Sequence, residues 1–563
     1  MKRRTLIATI AVLSWVTAGT IARQATSGPV TFDEVARTVG IDFTHVNGSS
    51  PERHLREIMS GGGLFFDYND DGWLDVFLVD GGQTAGRTAT RPAHRLFRNR
   101  GNGAYEDVTA TAGIAHRQYG MGACAADYDN DGWIDLHVTS VGRNVLYRNI
   151  DGERFADVSD RARVGVLAFS ASCAFADIDQ DGHVDLFVVN YVDAQPDNNI
   201  FCGDRSKGLR MYCHPLNFRP LSDLLFRNNG DGTFTDITQK AGLVAGGNGL
   251  GAVFGDYDDD GRVDLFVAND TTPNFLYHNA GGARFDEVAL PAGVAVASDG
   301  RTRAGMGTDF GDYDGDGRLD LIVTNHELEA HTLFRSLGDG LFEDATSRSG
   351  VGLATLPFVG FGTVFFDHDH DTDLDLAIVN GHVMNSPEHF RPGASEAQRK
   401  LLLRNDGSGR FAEVGRTSGP GFASENVGRA LAAGDIDNDG DLDLLVVNNG
   451  GPAELLRSGG ARKPNAVLVR LVGTRSNRSA IGATIRLTAG GRTQVRTVTA
   501  GSSYLAQHDL RAHFGLGSAT AADRIEIRWP SGARETLSSI AANQIVTIVE
   551  GQGIARETRM TGR

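Results

Sequence analysis

The sequence predicts an all-β protein: a seven-bladed β-propeller followed by a small antiparallel β-sandwich. Two repeated elements and one change of pattern lead to this prediction. An acidic loop of nine residues occurs seven times, a strand–turn–strand hairpin occurs six times between the loops, and both repeats end near residue 460. The shortest distances between successive loops, 50 to 60 residues, fit one four-stranded sheet for each loop.

The acidic loops begin at residues 67, 127, 177, 256, 312, 367 and 435. Each has a carboxylate or amide side chain at positions 1, 3, 5 and 9, and a main-chain carbonyl at position 7 can complete an all-oxygen cage. Such a cage suits a hard cation and favours Ca²⁺ over Mg²⁺. The predicted ligands of up to seven calcium ions are Asp67, Asn69, Asp71, Trp73, Asp75; Asp127, Asp129, Asp131, Trp133, Asp135; Asp177, Asp179, Asp181, His183, Asp185; Asp256, Asp258, Asp260, Arg262, Asp264; Asp312, Asp314, Asp316, Arg318, Asp320; Asp367, Asp369, Asp371, Asp373, Asp375; and Asp435, Asp437, Asp439, Asp441, Asp443.

Two other interpretations of the loops were weighed. An EF-hand requires a bidentate Glu at position 12, where this chain has only Leu, Val or Ile. Those apolar residues lie in strand-like runs such as DLFVVN, so each loop joins strands rather than helices. Seven solvated acidic turns without metal would not need the same ligand pattern seven times.

The hairpins lie between the loops, for example LYRNIDGERFADVS at 146–159. Six hairpins for seven loops leave one incomplete, and its halves stand at opposite ends, TFDEVA (31–36) and ELLRSGG (454–460). If these halves pair, the ring closes and no sheet edge is exposed. Insertions at about 192–222 and 381–399 both follow a repeated Asn, so we expect them on the same face.

The domain boundaries follow from these patterns. Residues 1–22 are predicted as a signal peptide, with Sec and twin-arginine export both open, 29–460 as the propeller, 461–551 as the sandwich and 552–563 as a tail. No later segment is apolar and long enough to span a bilayer, so we expect a secreted, periplasmic or cell-surface protein. In that oxidising environment Cys202 and Cys213 are predicted to form a disulfide, whereas Cys124 and Cys173 are expected to be buried free thiols.

The negative charge has a local cause. The formal net charge is −17, and the seven loops hold 31 of the 71 acidic side chains, so seven Ca²⁺ ions would bring the chain close to neutrality. The acidity therefore indicates metal loading and argues against nucleic acid or an anionic membrane as partner. Residues 461–563 are basic instead, with a net charge of +9. This contrast suggests docking of the two domains, with a merely basic solvated surface as the alternative.

The chain resembles the cartilage acidic protein family: an exported propeller of FG-GAP (VCBS-type) repeats followed by an ASPIC/UnbV domain. The propeller is similar to the head of integrin α-subunits, whose loops share the DxDxDGxxD pattern. The second domain matches through RSAIGATIRL, HFGLGSA, RIEIRWPSG and NQIVTIVEG, and the loop between Cys202 and Cys213 and the NGHV at Asn380 also resemble the family. The resemblance implies calcium binding and extracellular interaction, and for much of this family no defined activity. One departure is Thr372, which replaces glycine in the sixth loop and predicts weaker binding there.

Two classes of function remain. The first is a calcium-stabilised extracytoplasmic binding or scaffold protein, adhesion-like, for a protein or glycan ligand. The second is an enzyme at the central mouth of the ring, lined by Asn190, Asn269, Asn325 and Asn380, with Asp270, His326, Glu327 and His382 as acid–base candidates. The simpler interpretation of these Asn residues is that they cap strand ends. No motif names a reaction, so the binding protein is favoured.

Overall fold

A computed structural model of the chain describes residues 29–82, 94–389, 391–460 and 464–561. The predicted signal peptide at 1–22 lies outside these residues. The described helices are short: α1 Ser159–Ala162, α2 Ala289–Ala292, α3 Val351–Thr355 and α4 Pro420–Ala423, with 3-10 turns at Leu55–Ile58, Pro196–Asn198, Arg205–Lys207, Pro215–Asn217, Pro387–His389 and Gly415–Thr417. None of the helices in these ranges has the length and apolar character that a membrane crossing requires.

The first domain is all-β, as predicted, and consists of four-stranded antiparallel units. The described ranges contain seven such units, which we call units 1 to 7 in chain order, and units 2 and 3 are joined into one eight-stranded sheet by pairing of Arg143 with Leu167. The strands, apart from those of unit 7, are β1 Val30–Glu34; β2 Gly63–Phe66, β3 Asp75–Leu78, β4 Arg95–Asn99 and β5 Tyr105–Asp107 (unit 1); β6 Tyr119–Ala126, β7 Asp135–Arg143, β8 Val145–Ile150 and β9 Arg154–Asp157 (unit 2); β10 Leu167–Ala176, β11 Asp185–Asn190, β12 Cys202–Asp204, β13 Leu209–Met211, β14 Leu224–Asn228 and β15 Phe234–Asp236 (unit 3 and its inserted hairpin β12–β13); β16 Gly249–Gly255, β17 Asp264–Asn269, β18 Phe275–Asn279 and β19 Phe285–Glu287 (unit 4); β20 Thr308–Gly311, β21 Asp320–Val323, β22 Thr332–Gly338 and β23 Leu341–Asp344 (unit 5); and β24 Gly360–Phe366, β25 Asp375–Asn380, β26 Gln398–Arg399, β27 Leu401–Asn405 and β28 Phe411–Glu413 (unit 6).

Unit 7 joins the two ends of the domain. It contains β30 Gly428–Gly434, β31 Asp443–Asn448 and β32 Glu454–Gly460, after the short strand β29 Glu425–Asn426 that pairs with β26. Its fourth strand is β1, which runs antiparallel to β32 with Val30 opposite Gly460. The pairing predicted for the two half-hairpins is therefore present, and it covers the edge that β32 would otherwise expose.

Apolar clusters lie between successive units and close the ring. One cluster joins Leu64 and Phe77 of unit 1 to Leu136 of unit 2, and equivalent clusters join units 3 and 4, 4 and 5, 5 and 6, and 6 and 7. A further cluster contains Phe65 of unit 1 and Val447 of unit 7. Burial of these faces is the main stabilising term of such a ring.

The second domain is a sandwich of two four-stranded sheets. Its strands are β33 Asn465–Val472, β34 Thr484–Ala489, β35 Arg492–Thr497, β36 Ala506–Gln507, β37 Ala512–Gly517, β38 Ala521–Arg528, β39 Arg534–Ala541, β40 Gln544–Val549 and β41 Gly553–Arg559. One sheet has the order β37-β33-β40-β41 and the other β35-β34-β38-β39. Val469 and Ile548 of the first sheet pack against Ile485 and Ile527 of the second.

Two details of the second domain differ from the predictions. The predicted antiparallel arrangement fails at one pair, because β33 and β40 run parallel. Alternation of apolar residues marks which face of a strand is buried but does not fix its direction relative to a neighbour. The predicted tail at 552–563 is also wrong, since Gly553–Arg559 forms β41 and pairs with β40. This strand is exposed on one edge and polar, so its sequence lacks the apolar alternation of a buried strand.

The segment at 498–510, which we call the plug, enters the centre of the ring. Ala506 and Gln507 pair in parallel with β2 of unit 1. The plug also contacts units 2 to 7. Gln507 bonds to Ala125 of unit 2, the N–H of Leu505 donates to Ser172 Oγ of unit 3, and Gly251 of unit 4 packs against the backbone of Ser503. Ser503 also bonds to Thr308 of unit 5 and, through Oγ, to the N–H of Thr363 of unit 6, and His508 Nδ1 accepts the N–H of Ala433 of unit 7. The second domain therefore fills the channel of the propeller.

Candidate functional site

Each acidic loop is shaped by hydrogen bonds to its own carboxylates. In the second loop, Asp127 accepts the N–H groups of Asp131 and Gly132 at 3.0 and 2.8 Å, and Asp131 accepts that of Trp133 at 3.0 Å. Equivalent bonds to the first Asp recur in the other loops, for example at Asp67, Asp177, Asp256 and Asp435. These bonds turn the chain around a common centre, where the carboxylates at positions 1, 3 and 9 meet.

The ninth Asp of each loop anchors it to the sheet. Asp135 accepts the N–H of Tyr128 at 3.0 Å and that of Asn149, in the following hairpin, at 2.7 Å. It is fully buried, and this burial raises its pKa well above the ordinary value. Burial also raises the pKa of Asp127 and Asp177 to about 7 and that of Asp435 to about 8. Buried carboxylates held so closely together need a cation nearby if they are to remain ionised at neutral pH.

Several ligand oxygens are buried and lack any partner among the described residues. They are Asn69 Oδ1, Asp129 Oδ1, Asp179 Oδ1, Asp312 Oδ1 and Asp369 Oδ1. In the second and third loops, oxygen atoms of the Asp residues at positions 1, 3 and 9 lie within 4.8 Å of one another. A buried acceptor without a donor is costly, whereas a divalent cation at this point would bind several such oxygens at once. The donor set therefore fits a hard cation.

The hairpin arginines belong to the same site, although no role for them was predicted. Arg148 donates to Asp129 and Asp131 at 2.6 and 2.8 Å, and Arg227 lies 2.7 Å from Asp179. Arg98 and Arg335 occupy equivalent places in the first and fifth loops, and His278 takes this place in the fourth. Arg148 and Arg227 bind Oδ2 of Asp129 and Asp179, and Oδ1 of each Asp has no partner among the described residues. In the sequence, these arginines are marked by the tripeptide FRN or YRN, which recurs in the hairpins.

An Asn follows most of these basic residues and connects neighbouring units, whereas Ser336 follows Arg335. Asn149 Nδ2 donates to the carbonyl of Ile134 in its own unit and to that of Tyr68 in unit 1. Asn228, Asn279 and Asn405 repeat this pattern, and Asn99 bonds to Ile436 of unit 7. These bonds link units 1 and 2, 2 and 3, 3 and 4, 5 and 6, and 7 and 1.

The sixth loop is the exception expected from its sequence. Thr372 has φ +84°, the left-handed conformation that glycine adopts at this position in the other six loops. His368 Nδ1 contacts Asp375 Oδ2 at 2.5 Å, so this loop also carries an imidazole among its candidate ligands. The backbone at Thr372 is therefore held in a strained conformation.

The second domain lies on the loop face of the propeller. Arg486 and Arg528 each lie 3.1 Å from Asp259, and Arg470 and Arg492 pair with Asp70 and Asp373. The suggested docking of basic and acidic domains is thus present in the structure, and the alternative of a merely solvated basic surface is not. Each of these arginines contacts an acidic loop.

The acid–base candidates at the opposite mouth come together only in part. Glu327 lies 3.4 Å from His382, and the rings of His326 and His382 are 5.5 Å apart. Arg391, from the 381–399 insertion, also pairs with Glu327. Asp270 instead contacts the hydroxyl of Tyr191 at 2.5 Å, and burial raises its pKa to about 7. The channel beneath these groups is occupied by the plug.

The repeated Asn residues at the strand ends bond within their own units. The side-chain amides of Asn269, Asn325 and Asn380 donate to the carbonyls of Pro273, Ala330 and Arg399, at 2.7 or 2.8 Å. Asn190 bonds to Ser222 in the same way. They fasten the chain where it returns after each strand, which agrees with strand capping rather than with ligand contacts.

All four cysteines are paired in the structure. Cys202 and Cys213 join the ends of the inserted loop, with a Cα–Cα distance of 5.2 Å. Cys124 and Cys173 also form a disulfide, which links unit 2 to unit 3, so the expectation of two free thiols is wrong. The two lie 49 residues apart, and only the packing of β6 beside β10 brings them together.

Comparison with known families agrees with this geometry. The FG-GAP-like repeat model matches residues 67–138, 127–188, 219–267, 256–323, 312–378 and 394–446, and each match spans at least part of an acidic loop. The chain belongs to the FG-GAP-like repeat family. A second FG-GAP repeat model matches 427–467, and the ASPIC and UnbV model matches 473–555, within the second domain.

Curated relatives support the same assignment. This FG-GAP-like repeat protein is homologous to cartilage acidic protein 1, with 27% identity to the Homo sapiens protein over 56% of this chain and 46% of that protein. The Xenopus tropicalis protein is 28% identical, with 56% and 47% covered. The chain thus spans about half the length of the curated relatives it matches.

Solved structures resemble the chain only distantly. The BP39L lectin from Burkholderia pseudomallei aligns with a TM-score of 0.40 and 10% identity, over 72% of this chain and 99% of that one. An Agrocybe aegerita lectin aligns with a TM-score of 0.39 and 17% identity, over 63% and 79%. Both similarities are too low to say anything about what this chain binds.

Proposed function

We propose that this protein is a secreted, calcium-loaded propeller that acts as an extracytoplasmic binding or scaffold protein. The observation that carries the proposal is the set of buried, unpartnered oxygens that recurs at equivalent loop positions, of which Asp129 and Asp179 are examples. Calcium would be held by the residues at positions 1, 3, 5, 7 and 9 of each loop, and it would supply positive charge without any redox chemistry. The ligand of the protein would be an extracellular protein or glycan.

Calcium titration tests the metal part of the proposal. Extracellular sites bind Ca²⁺ with Kd of about 10⁻⁴ to 10⁻³ M, so about 1 mM free ion contributes roughly 0.4–1.4 kcal/mol per site, or about 3–10 kcal/mol over seven. We expect a higher melting temperature in calcium than in chelator, and several bound ions per chain by calorimetry. A melting temperature unchanged by chelator would contradict the proposal, and magnesium at equal concentration is the control.

The alternative is an acid–base enzyme at the far mouth of the ring, and one contact favours it. Glu327 lies 3.4 Å from His382 and is mostly buried, so the pair has the geometry of a base and its orienting carboxylate. Glu327→Gln and His382→Asn separate the two functions, because neither residue touches an acidic loop. Loss of turnover with unchanged calcium binding would establish the enzyme, whereas loss of ligand affinity alone would favour the binding protein.

A further inference from the structure

A cleft separates the second domain from the first two acidic loops. Its volume is about 520 Å³, within the usual range for ligand pockets. The floor is formed by the loops at 67–75 and 127–135, and the wall by the outer face of the sheet β37-β33-β40-β41. It lies on the loop face, away from the insertions and the far mouth.

Strand register shows that the wall is one continuous sheet face. Arg470, Thr547 and Arg556 lie opposite one another on β33, β40 and β41. Ile545 and Val549 flank Thr547 on the same side, whereas Val546 and Ile548 point into the sandwich core. The face therefore presents arginines, a hydroxyl and aliphatic groups to the cleft.

Some charged side chains of the cleft form ion pairs and others do not. Arg470 pairs with Asp70 and Arg511 with Asp509, which leaves Arg478 and Arg556. Both are exposed, and neither has an ion-pair partner within the described parts of the chain. The remaining carboxylates are those of Asp67, Asp71 and Asp127, all predicted calcium ligands, and Asp71 also pairs with Arg98. Calcium in the two loops would neutralise these and leave two free guanidinium groups, a site for an anion.

The lining favours a saccharide over a polypeptide as the anion. Trp73 is half-buried with its indole beside Gly101, and it lines the cleft together with Thr547 and Thr558. An aromatic ring among hydroxyl and aliphatic groups suits the mixed faces of a pyranose. An acidic peptide recognised by strand addition would pair with the free edge of β41, whereas the lining residues lie on the face of the sheet.

We infer that this cleft binds an acidic saccharide, whose carboxylate or sulfate groups contact Arg478 and Arg556. The inference rests on the proposed calcium loading, which makes the cleft positive. Arg478 is well placed for this role because its backbone N–H is fixed at 2.8 Å to Asn130 of the second loop. The site thus joins both domains and depends on two metal loops.

Calorimetry with defined oligosaccharides tests the inference on the full chain in 1 mM calcium. The probes are oligogalacturonate, its methyl ester, chondroitin sulfate oligosaccharide, its desulfated form, and polyglutamate. We expect one acidic oligosaccharide to bind with 1:1 stoichiometry, and the form that lacks the recognised group to bind at least tenfold more weakly. Desulfated chondroitin keeps its carboxylates, so weaker binding on desulfation assigns recognition to sulfate, whereas weaker binding of the methyl ester assigns it to carboxylate. Binding of polyglutamate alone, or of no probe, overturns the inference.

Paired variants locate the site. Arg478→Ala with Arg556→Ala should weaken saccharide binding at least tenfold without changing calcium binding or the melting temperature. The matched control is Arg534→Ala, an exposed arginine on the other sheet that does not line the cleft. Unchanged affinity in the double variant overturns the inference. If calcium binds and no saccharide does, only the inference fails, whereas absence of calcium binding defeats the proposed function and this inference together.

Discussion

At the scale of single residues, the loops are governed by backbone conformation as much as by charge. Glycine takes φ between +86° and +100° at position 6 of six loops, and in the remaining loop, the sixth, Thr372 takes +84°. A side chain in this region costs roughly 1–2 kcal/mol. The sixth loop is therefore the natural place to measure that cost.

Thr372→Gly should raise the free energy of unfolding by about 0.5–1 kcal/mol, since relief of strain exceeds the added flexibility of glycine in the unfolded chain. The mirror variant is Gly132→Thr in the second loop, where a Cβ would have no heavy atom within 4 Å. It should cost about 1–2 kcal/mol through conformation alone. Urea unfolding in calcium measures both, and a destabilising Thr372→Gly would contradict the strain argument.

A second residue-scale prediction concerns Asp223, which is buried and bonded through Oδ1 to Asn190 N at 2.9 Å. Burial raises its pKa to about 7. Because the folded pKa exceeds the unfolded value, its favourable contribution is complete below about pH 4 and is lost as the pH rises through 7.

Asp223→Asn should therefore stabilise the protein at pH 8 by about 1–3 kcal/mol and have little effect near pH 4. Asparagine keeps the acceptor for Asn190 and removes the buried charge. Thermal melts from pH 4 to 8 measure the difference, with the exposed Asp42→Asn as control. A gain in stability that does not depend on pH would show that packing, rather than ionisation of Asp223, explains the effect of the substitution.

At the scale of elements, β1 completes unit 7 although it comes from the opposite end of the domain. Phe32 is fully buried in this strand, against Phe366 and Phe422. Phe32→Ala should cost about 3–5 kcal/mol, whereas the exposed neighbour Asp33→Ala should cost little. Deletion of 29–36 should be more severe and promote association through the open edge of β32. A monomeric deletion variant with an unchanged melting temperature would refute this role of β1.

The plug is the second short element on which we expect the stability of the protein to depend strongly. The hydroxyl of Tyr504 donates to the carbonyl of Met59 at 2.7 Å, and its ring lies 4.9 Å from that of Phe361. Tyr504→Ala should cost about 3–5 kcal/mol, and Tyr504→Phe about 1 kcal/mol, because only the latter keeps the buried ring. Chemical denaturation compares them, and equal losses would mean that the hydroxyl, not the ring, secures the channel.

At the scale of the whole molecule, the two domains form one folding unit. The channel of the propeller is lined by backbone groups and small residues whose partners lie in the plug, such as Ala125 and Thr308. Unpaired buried groups of this kind destabilise a fold. A chain that ends at residue 460 should therefore lose its cooperative melting transition, even in calcium. An isolated propeller that melts at the temperature of the full chain would show that the plug is dispensable.

Much of the loop chemistry was predictable because it is local. The nine-residue spacing places Asp127, Asp129 and Asp135 around one centre whatever the rest of the chain does, and an Asn recurs at the same position in five of the six hairpins. The hairpin arginines were equally periodic and went unassigned, since a cation beside an acidic loop has many ordinary explanations. Cys124 and Cys173 were misjudged because each pattern, a Cys in an apolar strand, is also that of a buried thiol.

By itself the sequence determined the all-β class, the repeated loops with their candidate ligands, the strand that closes the ring and the change of domain near residue 460. These features produce periodic patterns, which can be recognised directly in the sequence. Only the tertiary structure decided the direction of β40 beside β33, the pairing of Cys124 with Cys173 and the insertion of the plug. The segment GSSYLAQHD has no repeat and no regular alternation, so its role depends on seven inner strands that meet only after the ring has closed.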